Sequence, residues 1–190
     1  MKLPLIWDLC GGTGSWSKPY RESGKYEVKV IDPQEWLPDD PGTGDVRLHE
    51  YSTKKPHGIL CAPPCTIFSG SGARWWESKG LEPLLVGLAI ADACVRIVTM
   101  HKPKWWALEN PVGRLRRWYG PPRYTFHPCD HGDPYTKKTL LWGEFNEPAR
   151  NFVEPTEGSK MHLLPPSADR ARLRSATPQG FAQAFFEANP

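Results

Sequence analysis

Short apolar runs separated by glycine- and proline-rich breaks set the rhythm of this chain, and the period of the runs changes along it. Residues 3–9 are almost continuously apolar, which predicts a buried strand, and the turn Gly11-Gly12-Thr13-Gly14 ends it. A helix is predicted over 15–22. Residues 26–31 alternate as a half-buried strand does and end at Asp32. A loop rich in Pro, Asp and Gly follows, and Asp45 is expected to end a third strand after it. The next strand is predicted over 57–61. Residues 66–80 lack helical periodicity and read as a mobile loop. Glu82-Pro83 opens a helix, because proline suits the first turn, and Pro103 ends it. Leu84, Leu85, Leu88, Ala91, Val95 and Val98 are its expected apolar face. Strands are predicted over 105–108, 124–127 and 139–145. A last helix has Thr177 as N-cap and Pro178 as first residue, with Phe181, Ala184, Phe185 and Ala188 on one face.

Strands alternating with helices imply an α/β fold with a mostly parallel central sheet. The 190 residues suit one domain, 1–190, with one substantial core. The predicted apolar runs stay short of the roughly 20 residues that cross a bilayer, so no membrane partner is expected. Five cysteines are an odd number and form no disulfide framework, so a reducing, cytoplasmic setting is expected. The net charge of +3 is compatible with a polyanion partner without establishing one. Nine tryptophans and 21 prolines point to a compact, loop-rich protein with surfaces for stacking, and a monomer is expected.

Three places carry chemistry. Asp8-x-x-Gly11-Gly12-x-Gly14 between a strand and a helix has the form of a nucleotide-cofactor turn, where glycines let the backbone approach a ligand. Asp32 stands where an acid binds ribose hydroxyls, and Asp45 where one could accept from an adenine amine. The bland alternative is a tight strand-to-helix turn without a ligand. Cys65 follows Pro63-Pro64 at the end of the 57–61 strand, so its thiol is held at a sheet edge. It acts as a nucleophile only as a thiolate, and Arg74, Lys137 and Lys138 are candidate cations to lower its pKa. The alternatives are an inert thiol, or a zinc set of Cys61, Cys65, Cys129 and His131. Glu109 ends the 105–108 strand behind Trp105, Trp106 and Leu108, so desolvation favours its protonated form. Its alternative is a capping or salt-bridging acid. Arg114, Arg116, Arg117, Trp118, Tyr119 and Arg123 form a basic and aromatic cluster suited to phosphate contact and base stacking. Arg170, Arg172 and Arg174 form a second, which a solvated face explains as well.

Taken in order, these residues resemble the cytosine-C5 DNA methyltransferase family, in particular its short phage and bacterial members. Asp8-Leu9-Cys10-Gly11-Gly12-Thr13-Gly14 resembles the family's S-adenosylmethionine turn, Pro63-Pro64-Cys65 its catalytic cysteine motif and Glu109-Asn110 its Glu-Asn pair. Residues 130–145 are similar to the segment short members carry near the eighth motif, and 177–189 to the C-terminal helix that packs back beside the cofactor. The resemblance implies a class I S-adenosylmethionine-dependent methyltransferase fold, Rossmann-like, in a single domain. It assigns Cys65, Glu109, Asn110 and Lys137 to catalysis. Asp8, Leu9, Gly11, Gly12, Thr13, Gly14, Asp32, Asp45 and Pro63 would bind the cofactor. Ser69, Ser71, Arg74, Arg114, Arg116, Arg117 and Lys138 would meet nucleic acid, and no metal is implied.

The sequence departs from the family pattern at Cys10, where an aromatic is usual, at Thr66, where glutamine is usual, and at Pro111, where valine is common. Gln-x-Arg-x-Arg is replaced by Tyr135-x-Lys137-x-Thr139. Residues 146–176 stand where the family places a far longer target-recognition domain. The implied substrate is DNA. Methylation of RNA, single-stranded DNA or a free cytosine nucleotide is the alternative, and a non-catalytic nucleic-acid-binding relic is the third reading. The Asp/Asn-Pro-Pro-aromatic signature of amino-methyltransferases is absent.

Overall fold

The computed structural model describes residues 2–33 and 44–190. The chain forms β1 (Leu5–Leu9), α1 (Lys18–Glu22), β2 (Glu27–Ile31), β3 (Gly58–Cys61), α2 (Glu82–His101), β4 (Trp105–Pro111), α3 (Arg116–Tyr119), β5 (Tyr124–Phe126), β6 (Thr139–Glu144), α4 (Lys160–Leu163), α5 (Arg170–Ser175) and α6 (Gln179–Ala188). One six-stranded sheet has the order β2-β1-β3-β4-β6-β5. β1 pairs in parallel with β2 and β3, and β3 with β4, whereas β6 runs antiparallel to β4 and β5. The sheet is therefore mixed. No crossover helix separates β5 from β6, only a 3-10 turn at Pro128–Asp130, and without a crossover the chain returns antiparallel.

Alternation along each strand divides the core. Trp7, Leu9, Ile59, Cys61 and Leu108 face α2, where Ala91, Cys94 and Ile97 meet them. Ile6, Leu60, Trp105 and Ala107 face the opposite layer, with Tyr20 of α1 and Phe181 and Phe185 of α6. Both faces are covered, so β1 and β3 read as continuous apolar runs in the sequence.

Five of the six predicted positions of α2 meet the core: Ala91 and Val98 are buried and Leu84, Leu88 and Val95 pack against it, while Leu85 is 54% exposed. Gly87, Cys94 and His101 complete the buried stripe. Small residues let the helix approach the sheet: a Cβ on Gly87 would lie 3.0 Å from Ile67. At 20 residues α2 is long and apolar enough to span a bilayer, against the expectation of only short apolar runs. Protein groups take up its polar side chains instead. Asp92 accepts from the Tyr119 hydroxyl, and Arg96 donates to carbonyls of Val46, Arg47 and His49.

Two other expectations shift. The 66–80 loop contains 3-10 turns at Cys65–Ile67 and Gly70–Trp75. It is anchored on Gly113, where a Cβ would fall 1.9 Å from the Phe68 carbonyl oxygen. Pro178 rather than Thr177 is the N-cap of α6. Segment 146–176 holds the short helices α4 and α5. It is pinned to residues 128–136 through bonds such as Asn151 N–H to Asp130 O (2.9 Å) and Thr136 N–H to Gly158 O (2.8 Å).

Candidate active site

β1 sends the chain to β2 on one side and β3 joins it on the other, so the order reverses between β1 and β3. In an open α/β sheet, ligands bind at the carboxyl ends of the strands beside such a reversal. The glycine turn and the Cys65 turn follow β1 and β3 at this edge, and Glu109 lies within β4, which runs on past the predicted 105–108 to Pro111.

The turn after β1 is built around a buried carboxylate. Asp8 is fully buried, accepts a hydrogen bond from the Ser17 hydroxyl, and packs under Gly11, where a Cβ would lie 2.5 Å from Asp8 Cγ. Only glycine fits there. Cys10 (φ 56°) and Gly12 (φ 50°) turn the chain through the left-handed region. Gly12 N–H donates to Asp32 Oδ2 at 3.1 Å, tying the turn to the end of β2. The Thr13 hydroxyl bonds that of Ser15, and Leu9 is core. The Cys10 sulfur leaves the cleft for Cys94 of α2 (Sγ–Sγ 4.0 Å), and this contact, with burial, holds its thiol well up. A glycine cradle with an acid ending the adjacent strand fits a nucleoside-bearing cofactor such as S-adenosylmethionine.

Burial pushes the Asp8 carboxyl up to about 6, against the lowering effect of Ser17. Oδ1 finds no hydrogen-bond partner among the described residues. An acid raised in the folded state contributes stability below its unfolded pKa of 3.8 and loses it as pH rises through 6. A shift of this size corresponds to about 3 kcal/mol against the ionised form at pH 7. Asp8→Asn is therefore expected to stabilise the fold at pH 7 by ~1–2 kcal/mol, after the cost of a new buried amide. The gain should vanish by pH 4. Urea unfolding at both pH values checks this, and an equal effect at both would show that ionised Asp8 carries no penalty.

Asp45 departs from expectation. It ends no strand; it caps the 3-10 turn Val46–Leu48, accepts from Arg47 N–H and pairs with the Arg47 guanidinium, which lowers its carboxyl pKa. The structure thus gives it a local role.

Cys65 stands half-buried at the first position of its 3-10 turn, one strand from Glu109 on β4. Burial raises the thiol pKa first and the Glu109 charge second; Lys137 and then Arg174 oppose them. The expected net lowering by cations is thus reversed, because desolvation outweighs them. Arg74 lies over the Trp75 ring instead (5.3 Å), and Lys138 is exposed. Burial also raises Glu109, again against Lys137. Thiol and carboxyl are thus both pushed toward neutrality, with two cations facing them. Arg174 had no distinguishing signal in the sequence. α5 brings it in, and its carbonyl accepts from Lys137 Nζ at 3.0 Å.

Two residues assigned to chemistry or nucleic acid also hold the site together. Asn110 is fully buried and donates from Nδ2 to the Pro63 carbonyl (2.9 Å), which fixes the Pro63-Pro64-Cys65 turn against β4. Arg114 is 8% exposed, donates from Nε to the Ile67 carbonyl (2.9 Å) and covers Trp76 at 4.7 Å. A guanidinium so occupied is a clamp on the Cys65 turn. Arg74, Arg116 and Arg117 remain exposed, with Trp75 and Trp118 about half exposed. Ser69 and Ser71 share a hydrogen bond of 2.9 Å on the same turn. The zinc set is not assembled: Cys61 is buried in β3, and His131 bonds Tyr124 and the Ala149 carbonyl. No group of three or more metal-binding side chains occurs among the described residues.

No family model and no curated protein matches this chain. Solved structures resemble it. A structure assigned as a DNA modification methyltransferase encoded within an E. coli prophage has a TM-score of 0.49 and 17% identity, with 87% of this chain and 49% of that one covered. The Entamoeba histolytica methyltransferase EhMeth has a TM-score of 0.51 and 13% identity, with 88% and 62% covered. The chain thus spans about half to three-fifths of their lengths. The likeness to EhMeth, with this sheet, defines a methyltransferase fold.

Proposed function

We propose that this chain transfers a methyl group from S-adenosylmethionine to C5 of cytosine in DNA through a covalent Cys65 adduct. The observation that carries the reading is the placement of Cys65, in the turn that follows β3, one strand from Glu109 on β4. Each is pushed toward its neutral form and both are faced by Lys137.

C5 of cytosine is an unreactive ring carbon, and a nucleophile on C6 makes it electron-rich. Cys65 bonds to C6 as a thiolate. Neutral Glu109 donates to N3 and draws electron density from C6. When bound at the glycine turn and Asp32, the cofactor supplies the electrophilic methyl group. Loss of the C5 proton and departure of Cys65 from C6 restore the aromatic ring. The Glu109 charge raises the Cys65 thiol, so protonation of the carboxyl favours the thiolate. Lys137 favours the charged form of either partner. In duplex DNA the target base must leave the stack to reach this cleft.

Segment 146–176 contributes two short helices, and phosphate contacts from Arg116 and Arg117 carry no sequence information. Methylation should therefore fall on cytosines within a context of about one to three bases. Tritium transfer from labelled cofactor to duplex DNA, single strands, RNA and dCMP, followed by bisulfite sequencing of a treated plasmid, tests this. Incorporation into duplex DNA with relaxed context is expected. No incorporation into any substrate would overturn the enzyme reading, and a strict site of four or more bases would overturn the relaxed specificity. Transfer to RNA or dCMP alone would favour the alternative that the short segment motivates.

A further inference from the structure

An open hollow lies at the opposite end of the sheet from Cys65. The starts of β1 and β2 and residues 53–57 enclose an open groove of about 650 Å3, walled by Lys2, Lys54, Lys55, Lys102 and Lys104, with Glu27 as its one carboxylate. A second hollow, of about 470 Å3, shares His57 and Lys104 with the first and adds Arg123, with Glu144 as its acid side chain. Six basic side chains against two acidic ones line the two hollows. None of the six forms an ion pair with a described residue.

The two hollows make one trough whose walls follow the sheet. Glu27 begins β2, Leu5 begins β1, His57 precedes β3, Lys104 precedes β4 and Glu144 ends β6, and these strands are neighbours in that order. Five strands at ~4.8 Å spacing give a track ~19 Å long. A track of this length spans several phosphates of one DNA strand. Uncompensated lysines with flexible stems suit a run of phosphates, whose exact positions a rigid site would have to match.

We propose that this trough binds the phosphodiester backbone of DNA, on a stretch other than the one presented to Cys65. The strands lie between the two ends of the sheet, so a straight run of backbone cannot serve both. The trough would hold the polymer while the far edge acts on a base. That use rests on the proposed function; the binding does not.

Two measurements test it. In the first, the unaltered chain is acetylated with and without a 30-base-pair duplex and mapped by mass spectrometry. Lys54, Lys55, Lys102 and Lys104 should be protected, and Lys18 should label equally in both samples. Equal labelling of the trough lysines, or protection by heparin but not by DNA, would overturn the proposal. In the second, Lys54→Ala, Lys55→Ala and Lys104→Ala are combined, and duplex binding is followed by anisotropy across salt concentrations. The slope of log K against log salt should fall by about 3, and affinity at 0.15 M salt should drop on the order of 100-fold. A folded variant with unchanged slope and affinity would refute the proposal. If the variant fails to fold, the footprint on the unaltered chain decides. A chain that shows the footprint but transfers no methyl group would separate failure of the catalytic reading from failure of this one.

Discussion

Cys65→Ser is expected to abolish the covalent complex with DNA containing 5-fluorocytosine, and with it all methyl transfer. Fluorine at C5 cannot leave as a proton does, so a wild-type reaction stops with Cys65 bonded to C6 and survives denaturation. A serine hydroxyl is far less acidic than a thiol and cannot supply the anion at accessible pH. The exchange is nearly isosteric at a half-buried position, so the fold should be little affected. Cys61→Ser and Cys129→Ser are the controls. Cys61 is fully buried in β3, so a hydroxyl there should cost roughly 1–3 kcal/mol of stability while the adduct still forms. Denaturing gels with labelled DNA read the result. A complex that persists in Cys65→Ser, or disappears in Cys129→Ser, would move the nucleophile elsewhere.

Glu109→Gln is expected to cut turnover at least ~100-fold, the lower range of general-acid contributions. The amide keeps the shape and can still donate a hydrogen bond, but it does not titrate. A second readout separates chemistry from structure. The Glu109 charge raises the Cys65 thiol, so its removal should lower the thiol pKa and speed alkylation of Cys65 by iodoacetamide at neutral pH. Turnover should thus fall while thiol reactivity rises. Cofactor affinity measured by calorimetry should stay within about twofold, because Glu109 faces Cys65 and Lys137 rather than the glycine turn. Loss of cofactor binding, or alkylation that slows in step with turnover, would make Glu109 a structural carboxylate.

Local chemistry wrote much of this site into the sequence. Glycines at 11, 12 and 14 mark a turn because no Cβ fits over Asp8 and the backbone must enter the left-handed region. Pro63-Pro64 keeps the chain from continuing β3 and sets Cys65 in the turn that follows it. The 3.6-residue period located α2 and α6, and apolar runs located the strands, because burial on a regular element repeats with that element's geometry.

What the order of residues hides depends on partners distant in sequence. Asn110 is expected in catalysis and Arg114 on nucleic acid, and only the fold shows that both also clamp the Cys65 turn from 47 residues away. Leu85 fitted the apolar period of α2, yet the helix turns its small residues inward, because close approach to Ile67 and Phe68 leaves no room for leucine. Arg174 was one arginine among three until α5 brought it to Lys137. The lysine trough is assembled from residues 2, 54, 55, 102, 104 and 123, which adjoin only because the sheet lines up the ends of strands far apart in the chain. Which elements form and which reactive groups follow them is written locally, since backbone sterics and periodic burial act within a few residues. Which polar groups are already occupied and which face the cleft depends on the fold, since desolvation and hydrogen bonding come from neighbours that the order of residues does not name.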